Sequence, residues 1–78
     1  MPKDDLWGEY AKGVLKAELK RRGVSYKELA SRLTENGTPE TERNIANKIS
    51  RGSFSAAFLF QSLAVIGCTT IRLDDLPE

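Results

Sequence analysis

Histidine is missing from all 78 residues, and cysteine occurs once, at Cys68. Without these residues a zinc site has no ligand set, and an intramolecular disulfide has no second sulfur. No metal or other cofactor is expected. A lone thiol suits a reducing, cytoplasmic compartment, and the first residues lack the apolar stretch of a secretion signal. Long hydrophobic runs are also lacking. The longest, Ser55 to Gly67, is too short to cross a bilayer and is interrupted by Gln61 and Ser62. No membrane partner is expected. Without histidine a general base would have to be a carboxylate or a lysine, and none sits at an identifiable spacing from a nucleophile. Glycine-rich phosphate loops are absent as well. Cys68 has no flanking cation and reads as a core residue beside Gly67. These absences argue against an enzyme.

What is present fits one small domain over residues 1–78, with a core at about 6–67 and a tail at 68–78. A chain this short buries only about 60% of its unfolded surface, so self-association is the expected reinforcement. The net charge of +1 hides an asymmetry. Residues 16–51 hold nine Lys/Arg against five Glu, a balance of +4, whereas residues 1–15 carry −1 and residues 52–78 carry −2. A basic middle points weakly to an anionic partner, and an ordinary solvated surface is the simpler explanation.

Punctuation predicts four helices. The first runs from about Asp4 to Arg22, with acidic residues at its start, Lys20, Arg21 and Arg22 at its end, and Gly23 as a left-handed cap. Trp7, Ala11, Val14, Leu15 and Leu19 form its apolar band. Lys12, Lys16 and Lys20 line an outer ridge, read as a solvated face or as a phosphate-tracking one. The second helix starts at a capping box, Ser25 with Glu28, with Val24 and Leu29 as the hydrophobic staple. It ends near Asn36-Gly37. Thr38-Pro39 opens the third helix, with a later start capped by Thr41 as the alternative. Ile45, Ala46 and Ile49 face inward, and Gly52 closes it. The fourth helix is capped by Ser53 or Ser55 and stops at Gly67. The tail that follows is β-branched, then acidic, and is expected to be extended.

The run SYKELASRL, then NIANKISRG, then an apolar helix ending LAVIG, resembles the DNA-binding domains of the lambda-repressor-like helix-turn-helix superfamily. At closer range it resembles a small bacterial family of unknown function. The resemblance covers roughly Leu6 to Gly67. It implies a compact all-α, four-helix fold and sequence-specific DNA binding, as in a transcriptional regulator. One departure stands out: TENGTPETER separates Leu33 from Asn44, longer than the turn of about four residues usual between such helices. A longer loop changes how deeply the third helix would enter a groove.

Helix geometry alone marks the candidate surface. With Ile45 and Ile49 inward, Asn47 lies opposite, flanked by Glu40, Arg43, Asn44, Ser50 and Arg51. Arg and Asn match guanine and adenine edges in the major groove, so Arg43, Asn44 and Asn47 are the expected base contacts. Lys48 and Arg51 on the flanks, and the helix start at Ser25, Tyr26 and Lys27, are the expected phosphate contacts. A plain solvated face has a similar composition, and Glu40 and Glu42 oppose phosphate.

The fourth helix is apolar on two sides. Ala56, Leu59, Leu63 and Ile66 form one, while Phe54, Phe58 and Val65 form another, expected at a homodimer interface. The expected partners are therefore double-stranded DNA and a second copy. A rival function is a protein-interaction module that keeps the repressor-like fold without DNA binding.

Overall fold

The computed structural model describes the backbone of residues 3–73 and the side chains of residues 6–73. Four helices follow one another: α1 Lys3–Arg22, α2 Tyr26–Glu35, α3 Glu42–Arg51 and α4 Ala56–Val65. No strand occurs among the described residues, and no helix there is long and apolar enough to cross a membrane. Residues 68–73 run as irregular coil rather than a strand. They lie back along α1, where the Tyr10 hydroxyl donates to the Arg72 carbonyl at 3.0 Å. Residues 74–78 of the expected tail, and the side chains of Asp4 and Asp5, fall outside the described residues.

Short-range chemistry sets the boundaries. Ser25, Thr41 and Ser55 are the N-caps of α2, α3 and α4, and each hydroxyl accepts from the backbone N–H three residues on, at 3.0–3.1 Å. Two expectations need correction. The Thr38-Pro39 start of the third helix is not used, because the Thr38 N–H already closes the end of α2 on the Leu33 carbonyl at 2.9 Å. Only half of the Ser25–Glu28 box forms, because the Glu28 carboxylate pairs with Arg32 one turn ahead. Gly23 ends α1 at φ 67°, and Val24 N–H returns to the Leu19 carbonyl at 2.9 Å.

The core joins all four helices. Leu15 and Leu19 of α1, Leu29 and Leu33 of α2, Ile45 and Ile49 of α3, and Phe58 and Leu63 of α4 are buried together with Ile66. Full burial of each such side chain contributes roughly 1.5–3 kcal/mol. Helix α2 packs on α3 and on α4, and α4 packs on α1. In α1 the expected band is split: Leu15 and Leu19 are buried, Ala11 and Val14 half-buried, and Trp7 exposed.

Two glycines inside α1 should respond oppositely to the same substitution. Helix α1 crosses the α3–α4 turn at Gly8, where an added Cβ would sit 2.9 Å from the Gly52 carbonyl oxygen. Gly13 has nothing within 4 Å of the corresponding position. Gly13→Ala should therefore stabilise the chain by about 0.5–1 kcal/mol through helix propensity alone. Gly8→Ala gains the same propensity, but the crossing must open, and a net loss of roughly 1 kcal/mol is expected. Thermal melts of the two variants check this. Equal midpoint shifts would show that α1 does not touch the turn at Gly8.

Candidate nucleic-acid interface

Helix α3 rests on α2 through Ile45 and Ile49, both buried, and this turns the rest of its surface outward. Glu42, Arg43, Asn44, Asn47, Ser50 and Arg51 are all exposed. At 100° per residue Asn47 lies opposite the buried pair, with Arg43 one turn before it and Arg51 one turn after. These three form a ridge about 12 Å long, at 1.5 Å per residue. Asn44 has the same heading as Arg51, two turns nearer the start of the helix. Arg43 and Arg51 make no hydrogen bond or ion pair with any described residue, so both guanidinium groups are available to a ligand. Arg51 closes the C-terminal end of this ridge.

The other expected contacts lie off this ridge. Lys27 is exposed and unpaired among the described residues. The Ser25 hydroxyl is occupied as the cap of α2, which leaves the first-turn N–H groups of Tyr26 and Lys27 without an intrahelical acceptor. The Tyr26 ring is half-buried against the core. Lys48 is engaged inside the fold. Its Nζ lies 2.6 Å from Glu40 Oε2 and 4.7 Å from the centre of the Phe58 ring. Glu40 precedes α3, so it does not flank Asn47 on that helix. It turns inward to Lys48, and its side chain is only 7% exposed.

The long connection between α2 and α3 is tied down at three points. It has six residues, 36–41. Thr34 Oγ1 donates to the Ala30 carbonyl at 2.8 Å and accepts from the Glu40 N–H at 3.2 Å. The Gln61 amide on α4 donates to the Thr38 hydroxyl, and Glu40 holds Lys48. The extra residues therefore brace α3 against α2 and α4. Spacing alone missed this, because the partners Thr34 and Gln61 sit on two other helices. Lys12, read as part of an outer ridge with Lys16 and Lys20, instead lies along Gly52 with its Nζ 3.4 Å from the Ser50 carbonyl. A cation there suits the negative end of α3.

Phe58 was expected at a subunit contact with Phe54 and Val65. It is a core residue of the single chain, buried beneath Lys48 and 5.3 Å from Phe54, centroid to centroid. Phe54 and Val65 are half-buried against the same core.

Residues 7–71 match a family described as a domain of unknown function (DUF6471), and the chain belongs to that family. No curated protein and no solved structure matches it.

Proposed function

We propose that this chain binds double-stranded DNA as part of a transcription regulator, with α3 laid in the major groove. The observation that carries this reading is the ridge Arg43–Asn47–Arg51, whose arginines are exposed and unpaired among the described residues on a helix braced from behind. Arg43, Asn44 and Asn47 present forked donors and acceptors to base edges. Arg51, Lys27 and the first-turn N–H groups of α2 supply the contacts to phosphate.

The two groups of contacts fail differently when removed. Arg43→Ala or Asn47→Ala should cost about 1–3 kcal/mol on a preferred sequence and leave random-sequence binding nearly intact. Lys27→Ala or Arg51→Ala should weaken all sequences alike and flatten the salt dependence by roughly one unit of slope. Selection from a random duplex library, followed by titrations at two salt concentrations, tests both. The reading fails if no sequence is enriched and none of the four substitutions changes retention on a DNA column. A protein-interaction module is the second reading, favoured by exposed apolar side chains on α1, α4 and the following coil.

A further inference from the structure

We propose, resting on the DNA reading above, that Lys16 and Lys20 on the exposed flank of α1 hold a stretch of DNA backbone beyond the end of α3. Packing sets where these lysines stand. Gly8 abuts the Gly52 carbonyl, and one turn on Lys12 lies along Gly52 with its Nζ 3.4 Å from the Ser50 carbonyl. The C-terminal end of α3 is therefore seated against this ridge of α1. Lys16 and Lys20 follow Lys12 on the same ridge, about 6 and 12 Å further on at 1.5 Å per residue. Lys20 is in the last turn of α1, and its carbonyl accepts from the Gly23 N–H just before Ser25 caps α2. The two lysines thus occupy the part of α1 that leads from the end of α3 to the start of α2. Those two ends carry Arg51 and Lys27.

Charge separates this flank from a plain solvated face, which intersperses both signs. Lys16 and Lys20 each follow a buried leucine by one residue, Leu15 and Leu19 respectively. Glu18 precedes Leu19, so it lies on the opposite flank of the buried stripe. There it pairs with Arg21 at 3.1 Å and with Arg22, and with Arg21 it lines a hollow against the coil at Thr70 and Ile71. The carboxylate on the lysine side, Glu9, is 3.9 Å from Lys12. Glu42 is the first residue of α3, at the end away from Arg51.

The cations left unpaired among the described residues are Lys16, Lys20, Lys27, Arg43 and Arg51. Three of these already belong to the DNA reading, and the other two are the lysines of this flank. Both are exposed. A lysine ammonium on its flexible stem acts on phosphate as a point charge, so a helix beside the groove can hold the backbone without entering it.

The test is the salt dependence with which the full chain binds a random-sequence duplex. Lys16→Ala and Lys20→Ala should each flatten the slope of log affinity against log salt by roughly one unit, and the double variant by about two. Alanine favours the helix, so circular dichroism and the melting midpoint should hold. Arg21→Ala removes the same charge from the opposite flank and should leave the slope nearly unchanged, which separates a local contact from a lower net charge. A double lysine variant with the wild-type slope overturns the proposal. Equal flattening by Arg21→Ala and by the single lysine variants overturns it too. In either case a slope reduced by Arg51→Ala leaves the DNA reading standing. A wild-type chain that binds no duplex at any salt concentration removes both.

Discussion

Phe58→Ala should cost about 3–5 kcal/mol, a large share of what a chain this short has. A domain of this length has only about 4–12 kcal/mol of stability, at 0.05–0.15 per residue. Phe58 is 7% exposed, touches Phe54 and lies under the Lys48 ammonium. Its truncation therefore opens a cavity where α3 and α4 meet, and also removes a cation–π contact of about 0.5–1 kcal/mol. The control lies two residues on. Phe60 is 61% exposed, and Phe60→Ala should change the stability of the monomer by no more than about 0.5 kcal/mol. Chemical denaturation separates the two. Similar losses for both variants would mean that α4 is rotated about its axis from the orientation described.

That rotation is where the sequence was least informative. A helix reveals its inward side by contrast, and α4 has no charged residue to supply any. Grouping Phe54, Phe58 and Val65 apart from Leu59, Leu63 and Ile66 divided what is one continuous buried arc. Phe60, on the opposite side, was left unassigned. Helix α3 is the contrary case. Two isoleucines among charged and amide side chains fix its inward side without ambiguity, and Ile45 and Ile49 are buried as expected. The stops at Gly23, Gly37, Gly52 and Gly67 were equally legible, and all four have positive φ. Ser25 was legible as a cap, but the fate of its partner was not. Glu28 can reach back to a backbone N–H or forward to Arg32, and the forward partner also donates to the Val65 carbonyl at 3.2 Å. Since Arg32 thereby serves the end of α4, the choice depends on a residue more than thirty positions away.

The same non-local logic reassigns Lys48, and Lys48→Ala should be a stability variant rather than a binding one. Glu40 is almost enclosed, and Lys48 Nζ at 2.6 Å is its partner along with the Thr41 N–H at 3.3 Å on the other oxygen. Removing the ammonium leaves a poorly solvated carboxylate and uncovers Phe58, for a loss of about 1.5–3 kcal/mol. Lys48→Met keeps the aliphatic stem over the ring but not the charge, so it should recover little on its own. Paired with Glu40→Gln it should recover most of the loss, because no charge is then left unpaired. Denaturation of the single and double variants measures this coupling. On DNA, an ammonium already neutralised by Glu40 has little to offer a phosphate. Lys48→Ala should leave the salt slope unchanged under conditions where the protein stays folded, whereas Arg51→Ala lowers it by roughly one unit. The opposite pattern, an unaltered melting midpoint with a reduced salt slope, would show that Lys48 leaves Glu40 for the DNA backbone. The α2–α3 connection would then lose one of the three ties that brace α3.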